Sequence, residues 1–309
     1  MTRWLIGRAL AGAAVVLATV VACSAIVAVM SPKDAPRAGA WAGTVEGVRR
    51  KLQGDFGTSA VMPGAVPVST LFERGVAVDL MLLAGGLVSG VLLGILGGRL
   101  AAGRPRSPAA RALDGLASVA LCTPVYVFGL GLLLLFEPSF GAVAHVHGWL
   151  QPGRYEAPGA NPWHWLQAML VPWVLVGLPI AAIALRLTAG QTLDNLDAPY
   201  MRTATALGLA HRRVVGQAAR PTYGATAAAL GTQVRALVFN LVFVEYMFFL
   251  PGFLWFTKRA TGNDPPFWTI PDVNTLSGIA VWSSVLVVTL ALAADVATAL
   301  LDPRIRDRL

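Results

Sequence analysis

Long apolar runs dominate this chain, and they constrain its fold more than any single motif does. Six stretches are nearly free of charge, at about 5–30, 75–98, 113–136, 166–187, 226–249 and 276–301. Each is long enough to carry an α-helix across a hydrocarbon core of roughly 30 Å. In that solvent the backbone must satisfy its own polar groups, so runs of this kind fold as helices. Only 13% of the 309 residues are charged, against roughly 25% in soluble domains. The expected fold class is an all-α membrane protein with six transmembrane helices.

Details within the runs refine this reading. Val20-Val21-Ala22-Cys23 resembles a lipoprotein cleavage box, but the apolar run continues through Ile26, Val27, Val29 and Met30. A retained transmembrane helix is therefore expected rather than a cleaved signal. The second run carries Gly85, Gly86, Gly90, Gly94, Gly97 and Gly98, which suits close helix packing in lipid. Pro124 interrupts the third run, and Pro172 and Pro179 lie in the fourth. Trp149, Trp163 and Trp165 are placed as interfacial aromatics. Cys23 and Cys122 both lie in apolar runs, with neither a disulfide framework nor a metal-site spacing.

Charge sets the expected orientation. The net charge of +8 is spread between apolar runs rather than gathered into a nucleic-acid-binding patch. With the N-terminus inside, fourteen basic residues fall in inner segments and nine in outer ones, with Arg235 inside a span. The short turn with Arg99, Arg104, Arg106 and Arg111 decides the direction by the positive-inside rule. Both termini and the segment between the fourth and fifth runs are then cytoplasmic.

That segment is a polar, basic island, Asp197 to Leu209, with a tail to Arg220-Pro221. Asp197 reads as an N-cap, Pro199 as a first-turn residue and Gly208 as a C′ terminator. A helix of about three turns is expected, with Tyr200, Thr203, Ala204 and Leu207 on one face and Arg202 pointing elsewhere. A small, apolar face on a loop too basic to enter lipid fits docking on another protein.

These residues resemble the ATP-binding-cassette importer permeases, specifically their dipeptide/oligopeptide/nickel group. Tyr200-Met201-Arg202-Thr203-Ala204 and Ala206-Leu207-Gly208-Leu209 are similar to that group's cytoplasmic coupling loop. Three further stretches match in order: Gly54-Asp55-Phe56-Gly57-Thr58-Ser59, Val244 to Gly252, and Asp295 followed by Leu301-Asp302-Pro303-Arg304-Ile305-Arg306. The resemblance implies a type I importer permease fold. Residues 1–71 would form an N-terminal transmembrane helix and extracytoplasmic connection, and 72–309 the permease domain with its coupling loop at 191–221. It also implies a second homologous permease, two cytoplasmic ATPase subunits and an extracytoplasmic binding protein. Pro199, Tyr200, Arg202, Thr203, Ala204, Leu207 and Gly208 would then couple to the ATPase.

A P-loop needs Lys after Gly and before Ser or Thr. Lys33, Lys51 and Lys258 follow Pro32, Arg50 and Thr257. No cofactor is expected on this chain, so ATP and Mg would be held by the partner subunits, and the chain is expected to be non-catalytic.

The match has departures. The tail between Gly208 and Arg220 is one residue short, and Arg235, Phe239 and Asn240 stand where relatives are glycine-rich. An intramembrane arginine is costly and faces a cavity or a partner charge. Arg235, Phe239, Asn240, Glu245, Pro251 and Gly252 are the candidate pathway or gate residues. No spacing gathers His145, His147, His164 and His211 into a metal site, so peptides are the first expectation and nickel or another small solute the alternative. An ion-coupled secondary transporter would want paired intramembrane acids and inverted repeats, and neither is visible.

Overall fold

The computed structural model describes residues 2–30, 40–61, 64–136, 155–231, 233–264, 267–268 and 271–301. His145, His147, Trp149, Lys33 and the closing stretch 302–306 lie outside them. The described chain is overwhelmingly helical and forms two compact units, Met1–Met81 with Phe249–Leu292, and Leu82–Phe248 with Ala293–Leu309.

In the first unit, α1 (Thr2–Met30) is a continuous helix, about 43 Å long at 1.5 Å per residue. Its polar side chains turn back onto the helix, Thr19 Oγ1 donating to the Val15 carbonyl and Ser24 Oγ to that of Val20. This leaves little for lipid to desolvate. The segment read as a plain polar connection instead contains α2 (Ala40–Leu52). It packs on α1, where Gly47 lets the two backbones approach over Ser24. Val20, Cys23 and Val281 form the buried centre, with Val48 and Phe56 against it. A short antiparallel hairpin, β1 (Thr58–Ser59) with β2 (Val66–Pro67), follows.

Two long helices, α3 (Val68–Gly103) and α12 (Val273–Leu301), contribute to both units. In the second unit α3 meets α6 (Pro162–Leu196) along the glycine row. A Cβ on Gly90 would lie 2.6 Å from the Gly177 carbonyl, and one on Gly177 would collide with the Gly86 carbonyl. The spacing of four through Gly86, Gly90, Gly94 and Gly98 is thus the contact expected from the sequence.

Around α6 pack α4 (Pro108–Cys122), α5 (Val125–Phe136), α8 (His211–Ala219), α9 (Thr222–Gly231) and α10 (Val234–Met247). Between α6 and α8 lies α7 (Pro199–Ala206). Ser107 caps α4, accepting from Ala110 N at 3.1 Å, and Asn161 caps α6, accepting from His164 N at 3.2 Å. Each is followed by proline at the first helical position.

Two expected spans are bent. Pro124 cannot continue α4, and α5 leaves at 109° to it, while α9 and α10 meet at 68°. Among the described residues four helices are long and apolar enough to cross a membrane, and the number reaches six when each bent pair is taken as one crossing. The first unit is completed by α11 (Thr257–Ala260) and a hairpin of β3 (Asn263–Asp264) and β4 (Phe267–Trp268).

Gly90→Leu should therefore separate α3 from α6, at the roughly 1–3 kcal/mol or more that overpacking costs. The expected outcome is a lower unfolding midpoint in detergent, measured beside Gly131→Leu, because Gly131 has open space around its Cβ position.

Candidate functional site

The island between α6 and α8 is a built object. Helix α6 runs through Leu196, so Asp197, expected as an N-cap, is instead the C-cap of α6 in a right-handed helical conformation. The N-cap of α7 falls one residue later, on Ala198, which is extended and makes no side-chain capping bond. Pro199 follows at the first helical position, and α7 is eight residues long, about two turns rather than the three expected.

Its far end is a Schellman motif. Gly208 has φ +79°, its N–H donates to the Thr205 carbonyl at 3.0 Å, and Leu209 N–H donates to that of Ala204 at 3.3 Å. The hydroxyls of Thr203 and Thr205 donate back to Pro199 and Met201 carbonyls.

One residue fastens this helix to its own chain. Met201 is buried with Val214 and Ala218, and Leu196 and Leu209 pack against them. Asn195 Nδ2 also donates to the Ala218 carbonyl at 2.9 Å, tying the end of α6 to α8. On the opposite side Tyr200 is 53% and Leu207 78% exposed. Arg202 and Thr203 are exposed as well, and Ala204 is half-buried. Tyr200, Thr203, Ala204 and Leu207 therefore share an outward face, as the i, i+3, i+4, i+7 spacing requires.

The basic tail of the island is the amphipathic α8. Val214, Val215, Ala218 and Ala219 are buried, while Arg212 and Arg213 face out. His211 Nε2 lies 2.8 Å from the Gly103 carbonyl, and His164 Nδ1 lies 3.4 Å from Glu156 Oε1. Among the described residues no three His, Cys, Asp or Glu side chains gather as a metal site.

The gate candidates separate into distinct surroundings. Arg235 belongs to the first turn of α10, and its side chain lies outside the described ones. Phe239 is 62% exposed and meets Phe243 edge-on, with ring centroids 4.9 Å apart. Phe243 in turn contacts Tyr126 on α5 at 5.4 Å. Asn240 is half-buried, and Glu245 is fully buried in the interior.

In the first unit, exposed Pro251 and buried Gly252 form the turn after α10, and Gly252 N–H donates to the Leu250 carbonyl at 2.8 Å. Sequence reasoning missed what holds this turn. Asp79 on α3, fully buried, accepts from Phe253 N–H at 2.7 Å and from Trp282 Nε1 at 2.7 Å. Phe72 makes edge contacts with the rings of both Phe253 and Trp282. Gly75 leaves room for the turn, since a Cβ there would collide with the Phe253 backbone. The signal was present, because Asp79 is the one charged residue between Arg74 and Arg99.

The Gly54–Ser59 motif is anchored similarly. Asp272 caps α12 through Thr275 N–H at 3.1 Å, and its other oxygen accepts from Ser59 Oγ, Ala60 N and Thr275 Oγ1. Gly57 takes φ +82°, and Asn274 Nδ2 donates to the Thr58 carbonyl at 3.1 Å. Nearby, the Lys51 ammonium is held below its ordinary pKa by burial, partly offset by Cys23 and Asp55.

The described residues form a helical protein with several candidate membrane spans and a short, outward-facing helix between two of them, and comparison with known proteins gives its class, a membrane permease. The family described as binding-protein-dependent transport system inner membrane component matches residues 90–307. The chain belongs to that family, the permeases of ATP-binding-cassette importers. It is 30% identical over 266 residues to the oligopeptide transport system permease protein OppB of Mycobacterium tuberculosis, covering 84% of this chain and 78% of that one. It is 29% identical over 258 residues to the oligopeptide transport system permease protein AppB of Bacillus subtilis, covering 82% and 77%. The dipeptide transport system permease protein DppB of Bacillus subtilis is 28% identical over 254 residues, covering 82% and 75%.

Asp79→Ala would strand the buried Phe253 N–H at a cost of about 1–3 kcal/mol, and the part-buried Trp282 indole N–H at less. Its expected signature is a lower unfolding midpoint together with changed Trp282 fluorescence, whereas Asp79→Asn, which keeps an acceptor, should retain most of the stability.

Proposed function

We propose that this chain is one permease half of an ATP-driven importer for dipeptides or oligopeptides. The observation that carries the reading is the outward face of α7. Its helix is fixed to its own chain by Met201 and a Schellman cap, while Tyr200 and Leu207 stay uncovered. A rigid, small-residue face displayed this way suits the cleft of an ATPase, with Pro199, Arg202, Thr203, Ala204 and Gly208 setting its shape. The names of the oligopeptide and dipeptide permeases similar to it support a peptide substrate.

In this reading a second homologous permease completes the pathway, two cytoplasmic ATPase subunits bind ATP and Mg, and an extracytoplasmic binding protein delivers substrate. The chain itself is non-catalytic. The arginine bias supports a cytoplasmic position for both termini and α7. Residues 72–309 act as the permease domain, with the coupling loop at 191–221. Closure of the ATPases pulls α7, and α8, packed against Met201, together with α6, bonded to α8 through Asn195, transmits the pull as a rigid-body change. Arg235, Phe239 and Asn240 on α10 contribute to the pathway, Arg235 as partner to a substrate carboxylate. Glu245 and the Pro251-Gly252 turn belong to its gate.

The test is uptake of labelled dipeptides, oligopeptides and nickel by membranes holding the assembled transporter, with its ATPase activity measured in parallel. Leu207→Asp and Ala204→Arg should insert normally yet lower peptide uptake at least about tenfold, the effect of roughly 1.4 kcal/mol of lost coupling. Normal uptake and substrate-stimulated ATPase activity in both variants would remove the docking role. Nickel uptake without peptide uptake would remove the substrate assignment.

A further inference from the structure

Four arginines converge where α3 ends and α8 crosses it. Arg99 on α3, with Arg212 and Arg213 on α8 and Arg220 just beyond it, lines a cavity of about 410 Å³, together with Gln217 and Tyr223. Arg99 lies across the α8 backbone, since a Cβ on Gly216 would sit 3.1 Å from its Nη2. No carboxylate among the described residues lines the cavity. Among the described residues none of the four arginines makes an ion pair. Guanidinium groups gathered without a counter-charge repel one another, and an anion between them relieves that cost.

The second half of the feature is mixed, with one apolar wall. Arg99 and Arg212 also line a depression of about 710 Å³, shared with Arg104, Ser107 and His211, whose apolar wall includes Leu96, Leu100 and Leu113. Leu96 is 53% and Leu100 70% exposed. Helix α3 is among those apolar and long enough to cross a membrane, so these leucines continue the groove from the basic end toward the hydrocarbon. One pair of arginines thus stands between an anion-seeking cavity and a groove with one apolar wall. The charge bias assigns this end to the cytoplasmic leaflet, where anionic lipids concentrate.

We propose that this cleft binds an anionic phospholipid, its phosphate against Arg99 and Arg212 and one acyl chain along Leu96, Leu100 and Leu113. Free phosphate would leave the leucine groove uncovered, and an acidic protein surface would not follow α3 into the bilayer. Because α8 packs against Met201 of α7 through Val214 and Ala218, lipid held here would also steady the base of the coupling helix.

Native mass spectrometry of the delipidated full chain in detergent tests this, with phosphatidylglycerol, phosphatidylcholine of the same acyl chains, and inorganic phosphate as probes. Phosphatidylglycerol should bind in clear preference to phosphatidylcholine. That preference should fall roughly fivefold for each arginine removed, so R212Q loses part of it and R99Q/R212Q nearly all. R49Q/R74Q, which removes two exposed arginines elsewhere, should leave it unchanged. Arg212 is exposed on the outer face of α8, so R212Q decides the matter if the double variant fails to fold. Equal binding of the two lipids, displacement of phosphatidylglycerol by equimolar inorganic phosphate, or an equal loss in R49Q/R74Q would overturn the proposal.

Discussion

Every backbone polar group that enters hydrocarbon must find its partner within the protein, and the rest of this structure follows from that obligation. It accounts for helices of 29 to 36 residues in α1, α3, α6 and α12. It also accounts for how the chain treats its breaks. Where Pro124 ends α4, Thr123 keeps its N–H bonded to the Val119 carbonyl before α5 departs. Hydroxyls along the spans donate to the carbonyl four residues earlier, as in Ser24, Thr226 and Thr298. These hydroxyls are settled within their own helices, which frees those helix surfaces for packing.

Packing between spans then depends on how closely backbones approach. Lipid tails are as apolar as leucine, so association gains little from burying apolar surface and much from close contact. The α3–α6 seam answers with glycine against glycine at Gly90 and Gly177, and α6 becomes the axis of its unit. In the other unit the fastening is polar. Asp79 holds the turn after Gly252 and the indole of Trp282 at once, and Asp272 joins the Gly54–Ser59 motif to the start of α12. Both carboxylates are well supplied with donors, which is what makes a buried acid tolerable in such surroundings.

Against this rigid background α7 is small and largely uncovered. Only Met201 anchors it through burial, and the Schellman cap at Gly208 fixes its exit toward α8. An element of eight residues with so little packing of its own keeps its shape through its neighbours.

The sequence by itself determined the fold class, the six apolar runs, the glycine seam and the terminator role of Gly208. Hydropathy, glycine spacing and left-handed turns are local properties that the chain carries in short windows. The same windows marked Tyr200, Thr203, Ala204 and Leu207 as one face, because helical periodicity needs no partner to be legible. Tertiary structure decided the rest. Asp197 could not cap α7 once packing carried α6 through Leu196, and the N-cap passed to Ala198. The amphipathic α8 needed the bundle to show which of its faces was inner. Asp79 was visible only as a lone acid in an apolar run, because its partners lie 174 and 203 residues away. A carboxylate's role depends on the donors that surround it, and only the folded chain brings them together.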